Sequence, residues 1–274
     1  MSGILYIVGT PIGNLSDMSP RAVQTMTDCD FIAAEDTRVT VKLLNHFNIK
    51  KPMISYYEHN RREKGSVIIE RLLAGESCAL VSDAGMPAVS DPGEELVDMC
   101  HSYGIKVCAV PGPSAFVTAL SISGMPSGRF TFEGFLTQNK PNRIEHLKSV
   151  KNEKRTMIFY EAPHKLPATL RDMLEYFGDR RIALVREITK VYETVERTML
   201  SQAAEKYTEV KPKGEYVIII DGAPDEPDRE YTLSDAVQTA RSLMSEMSLN
   251  DAAKEAAKRT GLKKSDIYKA LQEE

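Results

Sequence analysis

ILYIVGTPIGN (residues 4–14) is an apolar strand pattern that runs directly into a loop rich in glycine and proline. The pattern occurs twice more, in CALVSDAGMP (residues 78–87) and in VCAVPGPSA (residues 107–115). Ligands bind at the carboxyl ends of strands in open α/β sheets, and glycine lets the main chain approach a ligand closely. Each loop alone is equally well explained as an ordinary tight turn. Three such loops together predict a small-molecule site at one edge of a sheet.

The composition is that of a globular protein of more than one domain. The chain has 274 residues, 42% of them hydrophobic, which is enough for two domains and a small appendage. The formal net charge of −4 argues against nucleic-acid binding by bulk electrostatics, so any such binding requires local basic patches. The four cysteines show no CxxC spacing and are expected to be reduced core thiols, which favours a cytoplasmic protein. We expect neither a signal peptide nor a membrane span.

Strand and helix patterns alternate up to about residue 222, which predicts an α/β fold. The break at residues 124–128 (GMPSG) predicts a boundary between a domain of residues 1–124 and a second α/β domain of residues 125–222, with a cleft between them. In the second domain we expect strands over residues 130–136, 156–160, 181–186 and 216–220, with helices around residues 143–150 and 164–177.

An acidic, proline-rich linker is expected over residues 223–230, followed by a helical domain of residues 231–274. Within it, residues 249–271 are typical of helix, Gly261 turn, helix. A helix-turn-helix would present Lys263, Lys264 and Lys269 on its second helix. A helical hairpin that serves stability or dimerisation explains the pattern equally well.

The three loops contain neither a GxGxxG nor a GxxxxGK[ST] motif, so no Rossmann dinucleotide site and no P-loop is predicted. They offer main-chain groups, small side chains and the carboxylates Asp83 and Asp91, which suit a ligand with ribose hydroxyls and an amino-acid end. Asp83 can also be interpreted as a turn or helix cap.

Eight ordered motifs resemble one known family across nearly the whole chain. They are LYIVGTPIGNLSD, FIAAEDTR, ALVSDAGMPAVSDPG, VPGPSA, FEGFL, MIFYEAPHK, REITKVYET and KGEYVIII. The set resembles the ribosomal RNA small-subunit methyltransferase I family, which belongs to the tetrapyrrole-methylase-like superfamily of S-adenosylmethionine enzymes. Residues 249–271 resemble the small C-terminal helix-turn-helix domain of that family.

The resemblance implies two α/β domains of the tetrapyrrole methylase type with a C-terminal helical domain. It also implies a homodimer that methylates the 2′-oxygen of a cytidine ribose in the decoding region of 16S rRNA, within the small ribosomal subunit, with S-adenosylmethionine as donor. Carried over residue by residue, the donor site would contain Thr10, Pro11, Asp83, Gly85, Met86, Pro87, Ser114 and Ala115, and the second domain would close it through Phe159, Tyr160, Gly214 and Glu215.

A ribose hydroxyl is a weak nucleophile, so the transfer requires a nearby base or strict positioning. The candidates outside the strand ends are Glu35, Asp36, Arg38, His59 and Lys190, with Glu58, Asn60 and Glu161 as further polar residues in the same segments, and no metal site is predicted. Glu35, Asp36 or His59 could act as base, whereas Arg38 and Lys190 suit phosphate contacts. A salt bridge or a surface role explains each of them equally well. Two other functions stay open at this point: a methylase of the same fold with a tetrapyrrole acceptor, and a non-catalytic RNA-binding assembly protein.

Overall fold

The structure is a computed structural model that describes residues 2–224, 231–245 and 247–272. The chain divides into two compact units, Met1–Ala223 and Pro224–Glu274. Of the predicted linker 223–230, residues 225–230 lie outside the described residues.

The first sheet of the larger unit is parallel throughout and has the strand order β3-β2-β4-β1-β5. Because β1 lies between β4 and β5, the three strands that precede the glycine- and proline-rich loops are neighbours. The strands are β1 (Ile4–Val8), β2 (Phe31–Ala34), β3 (Met53–Ser55), β4 (Cys78–Val81) and β5 (Lys106–Val110).

Helices cover both faces of the first sheet, as the buried apolar strands require. The helices are α1 (Pro20–Asp28), α2 (Thr37–His46), α3 (Arg61–Leu73) and α4 (Glu94–Ser102). Side chains of α3 and α4 form one core with the sheet, and side chains of α1 and α2 form the other. Ser19 caps α1 and Pro20 is its first residue, where a proline needs no N–H partner.

The second sheet is mixed and has the order β6-β7-β10-β8-β9. Only β6 and β7 are parallel; the other neighbouring pairs are antiparallel. Its strands are β6 (Phe130–Phe135), β7 (Thr156–Glu161), β8 (Arg181–Arg186), β9 (Thr194–Met199) and β10 (Tyr216–Ile220). Helices α6 (Lys140–Val150), α7 (Leu166–Phe177) and α8 (Leu200–Glu209) complete this half.

Helix α5 (Ala115–Ser123) follows the third loop of the first sheet, but its buried side chains pack on the second sheet. Ala119 and Leu120 contact Ile158, Val185 and Ile219 in one apolar cluster. The helix ends at Gly124, whose φ of 65° is left-handed, at the boundary that the sequence predicts. The division into domains at this residue stays a prediction, because residues on both sides form one compact unit.

The smaller unit contains α9 (Leu233–Leu243), α10 (Leu249–Thr260) and α11 (Lys264–Gln272). Alanines and Ile267 form its core, which lets the helices approach closely. Gly261 joins α10 to α11 with a φ of 71°, as the predicted helix, glycine turn and helix require. Among the residues described in both units, no helix is long and apolar enough to cross a membrane.

Candidate functional site

Main-chain hydrogen bonds join the three loops that follow β1, β4 and β5. The N–H of Thr10 donates to the carbonyl oxygen of Gly85 at 2.9 Å, and the N–H of Gly85 donates to the carbonyl oxygen of Thr10 at 3.1 Å. The N–H of Gly9 donates to the carbonyl oxygen of Val110 at 3.1 Å. The loops therefore form one continuous main-chain surface, as the sequence predicts.

The first and third loops are so close that neither tolerates a side chain at the contact. A Cβ atom on Gly9 would lie 2.6 Å from the Cα of Gly112 and 2.6 Å from the Sδ of Met86. A Cβ atom on Gly112 would lie 2.8 Å from the Cα of Gly9. Glycine is required at both positions because main chain meets main chain there.

A cavity of about 460 Å³ opens between these loops and the strand ends of the second sheet. The C-terminal ends of β6, β7 and β8 and the N-terminal end of β10 form its second wall. β10 is antiparallel to β7 and β8, which brings Tyr216 opposite Glu161 and Arg186 and places all four ends at one edge of the sheet.

Nine of the candidate residues line this cavity. They are Asp83, Gly85, Met86, Ser114, Ala115, Tyr160 and Glu215 from the donor-site candidates, and Glu35 and Lys190 from the catalytic candidates.

The other donor-site candidates lie outside the cavity wall. Thr10 and Pro11 are buried, and the Thr10 hydroxyl donates to the carbonyl oxygen of Ser82 at 3.2 Å, so Thr10 supports the loops from beneath. Pro87 is buried as well. Gly214 adopts a φ of 76° beside Glu187, and a Cβ atom there would meet the Glu187 carboxylate.

Phe159 is placed in the core, which corrects the expectation that its side chain closes the donor site. Its ring is fully buried with Leu170 and Phe177 on the face of the second sheet that α6, α7 and α8 cover. Tyr160, the next residue of β7, points to the opposite face and lines the cavity. Successive strand side chains alternate between faces, so only one of the two can reach the site.

The remaining catalytic candidates lie around the cavity. Asp36 caps α2 by accepting the N–H of Arg38 at 2.8 Å, and it also accepts from the Arg38 guanidinium at 2.6 Å. The Arg38 side chain is otherwise 87% exposed. His59 lines a neighbouring cavity of about 660 Å³, which shares Glu35, Val89, Ser90 and Asp91 with the first.

Phe135 was not named as a site candidate, although it belongs to the FEGFL motif and lines the cavity. Asp91, expected as one of the loop carboxylates, lines the cavity as well, and so does Glu161. Other lining residues without a predicted role are Ile12, Ser90, Phe116 and Glu187.

Three carboxylates of the cavity wall have raised pKa values. Burial raises the pKa of Glu35, Asp83 and Asp91, and repulsion among the acidic groups adds to it. The Asp83 carboxylate accepts the N–H of Asp36 at 3.2 Å, which partly offsets the rise. Asp36 behaves in the opposite way, because the hydrogen bonds from Arg38 lower its pKa to about 2.

On the second wall, Lys190 balances part of the negative charge. Its ammonium lies 3.1 Å from Glu187 and 3.7 Å from Glu215. The Tyr160 hydroxyl accepts the N–H of Phe116 at 3.0 Å, and burial raises the pKa of this phenol to about 12. Among the described residues, His, Cys, Asp and Glu side chains form no group of three able to hold a metal ion.

Comparison with known proteins agrees with this arrangement. Residues 4–204 match the family described as tetrapyrrole (corrin/porphyrin) methylases, and residues 232–274 match the RsmI C-terminal HTH domain. A ribosomal RNA small subunit methyltransferase I of Synechocystis sp. is 46% identical over 269 residues, which are 97% of this chain and 96% of that protein. This chain belongs to the ribosomal RNA small subunit methyltransferase I family. The resemblance seen in the eight motifs is thereby confirmed.

A shorter relative in the ribosomal RNA small subunit methyltransferase I family comes from Thermotoga maritima. It is 47% identical over 220 residues, which are 80% of this chain and 99% of that protein. Solved structures with the same fold include diphthine synthase, with a TM-score of 0.60 and 15% identity over 80% of this chain and 90% of that one. A uroporphyrin-III-C-methyltransferase from Thermus thermophilus gives a TM-score of 0.56 and 18% identity over 79% of this chain and 94% of that one. The predicted fold class is confirmed.

Proposed function

We propose that this chain transfers a methyl group from S-adenosylmethionine to the 2′-oxygen of a cytidine ribose in 16S rRNA, within the decoding region of the small ribosomal subunit. Membership in a family of rRNA methyltransferases carries the proposal, because the similarity to relatives of that name spans nearly the full chain. The two-sided cavity, with carboxylates on one wall and a lysine and aromatic rings on the other, is where we place the reaction.

The residues of the cavity fit the proposed donor. A volume of about 460 Å³ is in the range of small-molecule sites. Gly85, Ser114 and Ala115 have small side chains or none, so the main chain can approach a ligand there. We assign the Asp83 carboxylate, which lines the same cavity, to accept the ribose hydroxyls of the donor. A solved neighbour with a TM-score of 0.54 is described as complexed with S-adenyl homocysteine. When bound, the sulfonium donor supplies an electrophilic methyl group.

Glu35 is the base that the geometry favours among the candidates. It lines both cavities. Its pKa is raised toward neutral pH, and a general base works best when its pKa lies near the pH at which the enzyme operates. The Glu35 carboxylate would take the proton of the ribose 2′-hydroxyl as that oxygen accepts the methyl group, whose bond to the donor sulfur would break and leave a neutral thioether. Asp36 is the poorer base because Arg38 lowers its pKa to about 2.

Arg38 is assigned to the RNA side of the reaction, whereas Lys190 is assigned to the charge balance of the cavity. The exposed Arg38 guanidinium suits a phosphate contact at the rim, and His59 lies in the adjoining cavity, on a path from solvent to Glu35. Lys190 is held by Glu187 and Glu215, so we expect it to moderate the negative charge of the cavity.

We place catalysis in the larger unit and additional RNA contacts in the smaller one. The Thermotoga maritima relative aligns over 220 residues and 99% of its length, close to the 223 residues of the larger unit. In the smaller unit, Lys263 and Lys264 lie at the start of α11 and suit phosphate contacts without base specificity. A homodimer in the cytoplasm that acts on the small ribosomal subunit completes the proposal.

A tetrapyrrole acceptor is not favoured by any observation. The solved methylases of macrocycles share only 16–18% of their residues with this chain, which supports the fold alone. A non-catalytic assembly factor would not need a donor cavity, so donor binding distinguishes that alternative.

Two measurements test the proposal. Calorimetry with S-adenosylmethionine should show binding to the intact chain, and Asp83→Ala should weaken it by about 10- to 100-fold, as expected for loss of a charged hydrogen-bond acceptor. Asp98→Ala, on the exposed side of α4, is the matched control and should bind like the wild type.

Mapping of ribose methylation in 16S rRNA identifies the acceptor. A deletion strain should lack one 2′-O-methylcytidine, which the wild-type gene restores and the Glu35→Gln gene does not. A chain truncated after Ala223 should keep donor binding and methylate small subunits more weakly. Absence of donor binding, or an unchanged methylation map in the deletion strain, would overturn the proposed function.

A further inference from the structure

Phe135 ends β6 at an irregularity in the edge of the second sheet. The pairing register of β6 with β7 shifts between Phe132 and Gly134, so this strand carries a bulge. Gly134 adopts a φ of 65°, and a Cβ atom there would meet no heavy atom of the described residues within 4 Å, so backbone conformation and not crowding favours glycine. Bulges beside active sites redirect side chains. Here the residue that follows the bulge is redirected to the mouth of the cavity.

The Phe135 ring is unusually exposed for an aromatic side chain that lines a cavity. It is 59% exposed, whereas Phe132 on the same strand is half-buried and stacks on Phe116 with ring centroids 4.4 Å apart. An apolar ring in this position has one side free for a planar ligand.

The ring is supported from behind. Its centroid lies 5.2 Å from that of Tyr160, with the planes inclined by 58°. Tyr160 is itself fixed, because its hydroxyl accepts the N–H of Phe116 at 3.0 Å and its ring packs on Phe132 at 5.0 Å. Tyr160 therefore gives the Phe135 ring a fixed neighbour on one side, which lowers the side-chain entropy that a ligand has to remove when it stacks on the other.

The charge around the cavity limits what can hold RNA there. Glu35, Asp83, Asp91, Glu187 and Glu215 line it, while Lys190 is engaged with two of these carboxylates. Such a surface repels phosphate groups, so apart from the phosphate contact of Arg38 at the rim, affinity for RNA beside the cavity has to come from contacts with uncharged parts of the nucleotide. Unstacked bases bind to aromatic rings without regard to charge, and sequence-specific RNA recognition commonly uses this contact.

We propose that Phe135 is a stacking platform for an unpaired base of the acceptor RNA, and that it holds the strand at the cavity while the ribose is methylated. The proposal rests on the proposed function, since it takes RNA as the acceptor. Phe135 is a positioning residue here, because it contacts the base and takes no part in proton or methyl transfer.

The test compares four substitutions at residue 135 with a matched control. Phe135→Ala and Phe135→Leu remove the aromatic face, whereas Phe135→Tyr and Phe135→Trp keep it. The control is Tyr103→Ala at the end of α4, whose ring is 58% exposed and lies outside the described lining of both cavities. The probes are small ribosomal subunits from the deletion strain and an RNA fragment of the decoding region.

For Phe135→Ala and Phe135→Leu we expect the KM for small subunits and the Kd for the RNA fragment to rise about tenfold, the effect of losing one base–aromatic stack. The aromatic variants and the control should stay near wild type. Calorimetry with S-adenosylmethionine should give an unchanged Kd for all five. Thermal unfolding should also be unchanged, because the ring is mostly in solvent.

Four outcomes would overturn the proposal. A weaker donor Kd in Phe135→Ala would assign the ring to the adenine of the donor. A change of oligomeric state in sedimentation would assign it to a contact between copies of the chain. A Leu variant equal to wild type would show that an apolar surface is sufficient. Wild-type RNA affinity in Phe135→Ala would exclude any contact with the acceptor. RNA binding is measured in the absence of catalysis. If the proposed function is wrong, the wild-type chain will show no methyl transfer to the RNA, and that result does not depend on the RNA affinities of the variants.

Discussion

The two sheets of the larger unit contain five strands each, yet they contribute to the cavity by different means. The first sheet is parallel, so all its carboxyl ends lie at one edge, and it contributes main chain, small residues and the carboxylates Asp83 and Asp91. The second sheet is mixed and contributes side chains from alternating strand ends, among them Tyr160, Phe135 and Lys190. Topology thus determines whether a sheet edge offers backbone or side chains to a ligand.

This difference implies different sensitivities to substitution. A wall made of main chain requires exact spacing between loops and fails when a loop is displaced. A wall made of side chains loses one contact at a time. The following predictions separate these two behaviours, beginning with the largest effect.

Gly112→Ala should destabilise the larger unit by about 3 kcal/mol and abolish donor binding, because overpacking that cannot relax is costly. The new Cβ atom would lie 2.8 Å from the Cα of Gly9, and backbone on both sides prevents a rotamer change from relieving the contact. Chemical denaturation and calorimetry with the donor measure the two effects.

Gly128→Ala is the control for this prediction. A Cβ atom at Gly128 would meet no heavy atom within 4 Å, so stability should change by less than about 0.5 kcal/mol. Equal stability of the two variants would show that the first and third loops have room to separate. The wall formed by the first sheet would then tolerate substitution as well as the wall formed by the second sheet.

Tyr160→Phe tests the side-chain wall and should have a smaller effect, about 1 kcal/mol, the usual contribution of one hydrogen bond. Within the described chain Ser114 makes no capping bond to α5, and the Tyr160 hydroxyl accepts the N–H of Phe116 in its place. The ring would remain, so donor affinity should fall only a few-fold. Tyr103→Phe is the control, and a loss as large as that of Gly112→Ala would contradict the contrast between the walls.

The sequence predicts the first wall better than the second, for a physical reason. Close main-chain approach demands glycine and proline, as at Gly9, Gly85 and Gly112, and these residues are visible in a single sequence. The second wall depends on which face a side chain occupies. β7 is buried on both faces, so its apolar run carries no alternation to distinguish Phe159 from Tyr160.

Two strands were also missed for local reasons. β3 has only three residues, and β9 (TVERTM) is an edge strand with partly exposed charged and polar residues, which conceal its pattern. The exposure of Phe135 depends on a bulge that its own sequence does not specify. The carboxylate cluster could be anticipated only in part, because Glu35 and Asp91 are far apart in sequence and meet through the strand order.

The smallest effect is expected from the charge of the first wall and depends on pH. Burial raises the pKa of Asp91 and the neighbouring Asp83 charge adds to it, so the folded chain binds this proton more tightly than the unfolded chain. The free energy of unfolding therefore falls as pH rises from the unfolded pKa through the raised folded pKa, and the loss persists at higher pH. Asp91→Asn removes this titration and should raise Tm at pH 8 relative to wild type, with a smaller gain at pH 4.

Asp36→Asn should change Tm in the opposite direction and serves as the comparison. The hydrogen bonds from Arg38 lower the pKa of Asp36 to about 2, so its contribution to stability is present above the unfolded pKa and is lost as pH falls through the folded value. Asp36→Asn should therefore lower Tm at pH 8, with an effect that disappears in acid. Tm measured from below pH 2 up to pH 8 for both variants checks the pair. A gain in Tm for Asp91→Asn that is the same at every pH would show that the folded chain does not disfavour the charged form of the Asp91 carboxylate. Main-chain geometry alone would then distinguish the wall formed by the first sheet.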